Sequence, residues 1–165
     1  MIGLATYYFV ALIVFLGIYC GVALGKIAKE ELDPGKKYIE MFQAALLSAI
    51  VCSTSYFFGL HWMFGLLVFF PLAFGADYLV RNPLVIQLTY VLLGFLLFAS
   101  TSSTKFFLVI SSLIFLFGLP TGSLYVQRHP TQSTNVIVSD MAVSYSVFFV
   151  VAILTSFLSI MLNNL

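Results

Sequence analysis

Residues 2–25 read IGLATYYFVALIVFLGIYCGVALG, an apolar run without one charged side chain. Roughly 20 apolar residues in helical form span the hydrocarbon core of a bilayer. A helix is the form such a run takes in lipid, because each backbone N–H and C=O then finds its partner inside the segment. The stretch is therefore read as a membrane-spanning helix. No basic segment precedes it, so it is expected to be retained as a span rather than cleaved as a signal peptide.

The rest of the chain repeats the pattern. A charged connection, 26–37, contains Asp33-Pro34-Gly35, whose chemistry predicts a turn. Further apolar runs cover about 38–60, 62–80, 84–99, 106–125 and 141–162. Gly59-Leu60-His61 makes a tight connection after the second. Arg81-Asn82-Pro83 ends the third, since proline cannot continue the preceding helix and suits the first turn of the next. The fourth run is the shortest and can borrow from the hydroxyl-rich 100–104. A polar connection, 127–139, precedes the last run, and Ser139 or Asp140 is expected to cap it. The expected fold is all-α, one transmembrane domain over 1–165 built as a six-transmembrane-helix bundle.

Composition points the same way. The chain is 62% hydrophobic and 8% charged, where a soluble domain carries about 25% charged residues. Seven basic and six acidic side chains cannot wet the surface of 165 residues. Most of the exterior is expected to face membrane lipids. A net charge of +1 gives no reason to expect nucleic acid as a partner.

With alternating spans, Lys26, Lys29, Lys36, Lys37, Arg81 and Arg128 fall on one side, and Lys105 alone on the other. The excess of Lys and Arg on cytoplasmic loops then puts both termini on the non-cytoplasmic side and the longer charged loops in the cytoplasm. Residues 1–82 and 83–165 divide the chain evenly, but neither their loops nor their prolines correspond. An inverted repeat is not expected.

Three features stand out as candidate sites. Gly17, Gly21 and Gly25 are spaced by four and make one smooth groove on the first helix, where a second backbone can approach closely. That backbone belongs either to another helix of the bundle or to another subunit. Glu40 stands only at the start of the second run, so Asp77 is the one carboxylate that could lie within the membrane, and an ionisable residue there suggests function. It also stands four residues before Arg81, a favourable helical ion pair, and Asn82 adds donors and an acceptor beside it. Finally, Pro120 lies between Gly118 and Gly122, with Thr121 and Ser123, so the fifth span is expected to kink or unwind there. Asp77, Arg81, Asn82, Pro120, Thr121 and Gly122 together would form a cytoplasm-facing binding pocket.

No catalytic residue, cofactor or metal is expected. Cys20 and Cys52 form no CxxC and have no histidine at ligand spacing. Glu40 reads as a solvated partner of Lys36 and Lys37. Gln43, Gln87, Ser48, Ser111, Ser112, Ser144 and Thr155 are scattered through the spans, as residues that hydrogen-bond between helices. Three functions remain. The first is a non-catalytic subunit or accessory protein of a membrane complex, partnered by another membrane protein or by its own copies. The second is a small oligomeric transporter or channel using Asp77, Arg81 and the Pro120 break. The third is a lipid-modifying enzyme drawing on Arg81, Asn82, Arg128, His129 and Asp140.

Overall fold

The computed structural model describes residues 2–59, 63 and 83–163. The third predicted span, with Asp77, Arg81 and Asn82, lies outside the described residues. Every described element is helical: α1 (Leu4–Ile27), α2 (Lys29–Phe57), α3 (Pro83–Ala99), a 3-10 turn (Ser100–Ser102), α4 (Thr104–Arg128), α5 (Thr134–Tyr145) and α6 (Val147–Asn163). α5 and α6 run on with only Ser146 between them. Among the described residues five stretches are long and apolar enough to cross a membrane: Leu4–Ile27, Lys29–Phe57, Leu84–Ser102, Thr104–Arg128 and Thr134–Phe157. This is the architecture of an all-helical, multi-pass membrane protein.

The outward surfaces explain the composition. Phe9, Leu12, Leu16 and Leu24 are exposed on α1, Leu84, Leu88, Leu92 and Phe95 on α3, and Val150, Ile153, Leu154 and Phe157 on α6. In water such contiguous apolar faces would drive aggregation; in lipid they cost nothing. The hydroxyl-rich end of α3 is satisfied locally. Ser100 and Thr101 donate to Leu97 O and Phe98 O at 2.6 and 2.7 Å.

α1 and α4 form the centre of the bundle and run parallel. The glycine groove is filled by α4 of the same chain. A Cβ on Gly17 would stand 2.3 Å from Phe115 O, one on Gly21 2.2 Å from Leu119 O, and one on Gly25 3.0 Å from Ser123 Cα. α4 answers with small residues of its own: a Cβ on Gly118 would lie 2.7 Å from Ile18 N, and one on Gly122 2.2 Å from Ile18 O. Ser123 Oγ bridges the helices by donating to Gly21 O at 2.9 Å. The close-packing face thus seats a helix of the same chain, and no second subunit can occupy it while α4 is there.

Three local expectations need correcting. α4 is helical without interruption through Pro120, so the segment does not unwind; its flanking glycines serve the approach of α1. Thr121 Oγ1 also donates back to Phe117 O at 2.8 Å, reinforcing the turn that the proline weakens. Asp33-Pro34-Gly35 is helical too, since α2 begins at Lys29 and only Ala28 separates it from α1. Glu30 and Glu31 in its first turn suit the positive end of the helix dipole. Leu32 is buried, and Gln127 Nε2 donates to Leu32 O and Asp33 Oδ1 at 3.2 and 3.1 Å. These tertiary contacts outweigh the turn signal. Lastly, α5 starts at Thr134 with Ser133 in the N-cap position, anchored by fully buried Ile137, so Asp140 lies inside the helix and caps nothing.

The ends of the helices define two faces. At one, Tyr7 of α1 donates to Ala152 O of α6, and the Tyr8 hydroxyl is hydrogen-bonded to Ser156 Oγ. The Phe57 ring stacks on Phe106 there, with centroids 4.0 Å apart, and Phe98 and Phe107 pack around Tyr7. At the other, Lys26 and Lys29 donate to Gln132 O and Pro130 O, clamping the α4–α5 connection to the start of α2. The first is called the tyrosine face below, and the second, which also carries Lys36, Lys37 and Arg128, the basic face.

Candidate functional site

Toward the basic face, α2, α3, α4 and α5 enclose a small polar pocket. Gln43 of α2 donates through Nε2 to Thr121 Oγ1 of α4 at 3.0 Å. Gln43, Thr121, Tyr125, Arg128, Tyr145 and Ile86 line a cavity of about 10 Å³. Behind Tyr145, Tyr90 of α3 is buried with its ring 4.6 Å from that of Tyr145 and 6.0 Å from that of Phe117. The Tyr90 hydroxyl faces Thr121 without reaching hydrogen-bond geometry. Toward the tyrosine face Leu93, Leu97, Ile110 and Ile114 are buried together in the hydrophobic core.

Among the described residues, two polar atoms around the pocket have no hydrogen-bond partner. Gln43 is 8% exposed and Tyr90 2%, yet Gln43 Oε1 and the Tyr90 hydroxyl have no hydrogen-bond partner among the described residues. Leaving a buried polar group unmet costs about 1–3 kcal/mol. Apolar replacements of the same shape, leucine and phenylalanine, would avoid that cost in a bundle built mainly of such residues. An unmet buried polar pair calls for a physical explanation.

At the rim, Glu40 stands three residues before Gln43 and so on the same side of α2. Its Oε1 lies 3.8 Å from Lys36 Nζ and is otherwise unpartnered among the described residues. Arg128 lies within the electrostatic reach of Glu40 and Tyr145. The rim therefore carries both signs of charge, with the positive in excess.

Of the residues proposed from sequence, Asp77, Arg81 and Asn82 lie outside the described residues. Pro120, Thr121 and Gly122 are all buried in α4, but they serve different partners. Thr121 turns to Gln43, whereas Gly122 lies against α1. Gly17, Gly21 and Gly25 face α4 and not the pocket. His129 is engaged with its own helix end, its Nδ1 bonded to Tyr125 O at 3.1 Å and its ring stacked on Tyr125. Gln43, Tyr90 and Tyr145 were not singled out as a site by sequence reasoning. The available signal was the Glu40/Gln43 spacing, which puts an acid and an amide on one helix side.

Compared with models of protein families, with curated proteins and with solved structures, the chain gives no match.

Proposed function

We propose that the chain crosses the membrane six times and acts as a small carrier whose solute site is the pocket at its basic face. The direction of each described helix supports the sixth crossing. α1 and α4 run from the tyrosine face to the basic face; α2, α3 and the α5–α6 span run back. α2 thus ends at the tyrosine face and α3 begins at the basic face, and these opposite ends support a further crossing between them. Both ends of the chain then lie at the tyrosine face, which an even number of crossings requires. Lys26, Lys29, Lys36, Lys37 and Arg128 against Lys105 make the basic face cytoplasmic and put both termini outside. With Cys20 and Cys52 replaced, Lys105→Cys is expected to react with a membrane-impermeant thiol reagent in intact cells. Lys29→Cys should react only after permeabilisation, and the reverse pattern would invert the topology.

The observation that carries the carrier reading is the unmet pair, Gln43 Oε1 and the Tyr90 hydroxyl, in the interior of the bundle. A channel is less well supported, because the apolar layer of Leu93, Leu97, Ile110 and Ile114 seals the pocket from the opposite face among the described residues. Passage would need that layer to move. In proteoliposomes offered radiolabelled methylamine, urea, glycerol and phosphate, at least one solute is expected to accumulate above protein-free vesicles. Gln43→Leu should return that uptake to the protein-free level; uptake unaltered by the substitution would remove the pocket from the path.

A second reading, a non-catalytic subunit of a membrane complex, is favoured by a different feature. Val10, Ile13, Ser111, Ser112 and Leu116 line an outward groove of about 480 Å³ between α1 and α4. Purification in mild detergent at native expression distinguishes the two. A second protein at fixed stoichiometry supports the subunit reading, and a homogeneous particle of this chain supports the carrier.

A further inference from the structure

One side of α2 is buried without a described helix to bury it. Gln43 donates to Thr121, and the Phe57 ring stacks on Phe106, so the side of α2 that carries Gln43 and Phe57 faces α4. Leu47 and Ile50 fall into the same row by helical spacing. About a third of a turn round the helix, at roughly 100° per residue, lie Ala44, Ser48 and Ser55. Each is 7% exposed, whereas Ala45, the next residue along, is exposed. Among the described residues, α2 packs along its length against α4 alone. Something outside them covers this second side.

The chain's own course supplies a cover. Phe58 N–H donates to Thr54 O and Gly59 N–H to Tyr56 O. Gly59 has a φ of +73°, the left-handed conformation that ends a helix and turns the chain sharply. Helices joined by a link of about two to five residues run antiparallel, side by side. The next apolar run, 62–80, begins within that length. As a helix it would be about 28 Å long, close to the roughly 30 Å of the hydrocarbon core. α3 then starts at Pro83, at the basic face.

We infer that residues 62–80 dock antiparallel on the side of α2 that carries Ala44, Ser48 and Ser55. The inference rests on the six-crossing reading and adds where that crossing sits. A link centred near residue 60 brings residues of about 68–76 to the depth of Ser48. The test uses the full chain with Cys20→Ala and Cys52→Ala in phosphatidylcholine vesicles, where Ser48→Cys is combined with single cysteines placed in turn through that stretch. Two cysteines bridge only when their Cα atoms lie within about 7 Å. Copper phenanthroline is expected to close disulfides within one chain at positions recurring every three or four residues, read as linked peptides by mass spectrometry. Ala45→Cys in the same scan should give none. Ala44→Leu should lower the melting temperature by about 5 °C through overpacking, and Ala45→Leu should leave it unchanged. Absence of links, equal linking from Ala45→Cys, or an Ala44→Leu chain that melts like the original each overturns the inference. Links between two chains also overturn it and give this side to a second copy. Labelling Phe58→Cys and Leu84→Cys with a membrane-impermeant thiol reagent reads the crossing separately. Opposite sides without links keep the crossing and discard the docking; one side for both discards both.

Discussion

Replacing Gly21 by leucine is expected to abolish the folded bundle. The first carbon that any side chain adds at this position would stand 2.2 Å from Leu119 O and 2.9 Å from Gly118 O. Both obstacles are backbone atoms, so no rotamer change relieves the clash. The axes of α1 and α4 must separate, which also loosens Gly17 against Phe115 and Gly25 against Ser123. It breaks the Ser123 Oγ bond to Gly21 O as well. Ordinary overpacking costs about 1–3 kcal/mol. Forcing two backbones apart along a shared face should exceed that, on the order of 4 kcal/mol, the upper end of single-substitution effects. Thermal unfolding of the detergent-purified chain measures it, with Gly21→Ala intermediate. Gly35→Ala is the control, since a Cβ there meets nothing within 4 Å. In helical α2 it should hold or raise stability, by about 0.5–1 kcal/mol. A Gly21→Leu chain that melts like the original would mean that α4 does not fill the groove and that another subunit can.

The legible and illegible parts of the fold divide along the range of the interactions involved. The run 2–25 could be read because lipid acts on the composition of one helix-length segment, with no reference to the rest of the chain. The Gly17/Gly21/Gly25 stripe was legible as a close-packing face for the same reason, and its partner was not. Gly118 and Gly122 carry the same spacing on α4, but Pro120 between them drew attention to a bend. A proline costs a helix one internal bond, yet α4 stays helical through Pro120 with α1 packed against both glycines. The turn at Asp33-Pro34-Gly35 failed similarly. Its local signal is strong, but Gln127, far along the chain, holds that segment through Leu32 O and Asp33 Oδ1. The pocket was hardest to see. Gln43, Tyr90 and Thr121 sit on three helices, and no spacing within one helix encodes which of several scattered polar residues will meet.

Leu92→Lys is the substitution that tests the membrane assignment itself. Leu92 lies near the middle of α3, is 48% exposed, and belongs to the outward row formed with Leu84, Leu88 and Phe95. In a water-soluble protein, exchanging such a residue for lysine would be nearly neutral or would improve solubility. At the centre of a membrane span it moves an ammonium into hydrocarbon. Insertion scales put lysine there at about +2.5 to +3.5 kcal/mol and leucine at about −0.5, so the change is about 3–4 kcal/mol. The lysine stem can carry its charge only part of the way to either face from mid-helix. Leu92 is half-exposed and outside the buried core, so the penalty is chiefly one of solvation rather than of packing. The expected result is a sharp fall in the fraction of chain that is membrane-inserted and protease-protected, with Lys105→Leu at the helix end as an innocuous comparison. The buried neighbour Leu93, 0% exposed, gives the contrast: Leu93→Ala should insert normally and lose about 2–5 kcal/mol of packing in the inserted state. If Leu92→Lys inserts as well as the original chain, this side of α3 faces water or a polar partner, and the outward apolar rows need an explanation other than lipid.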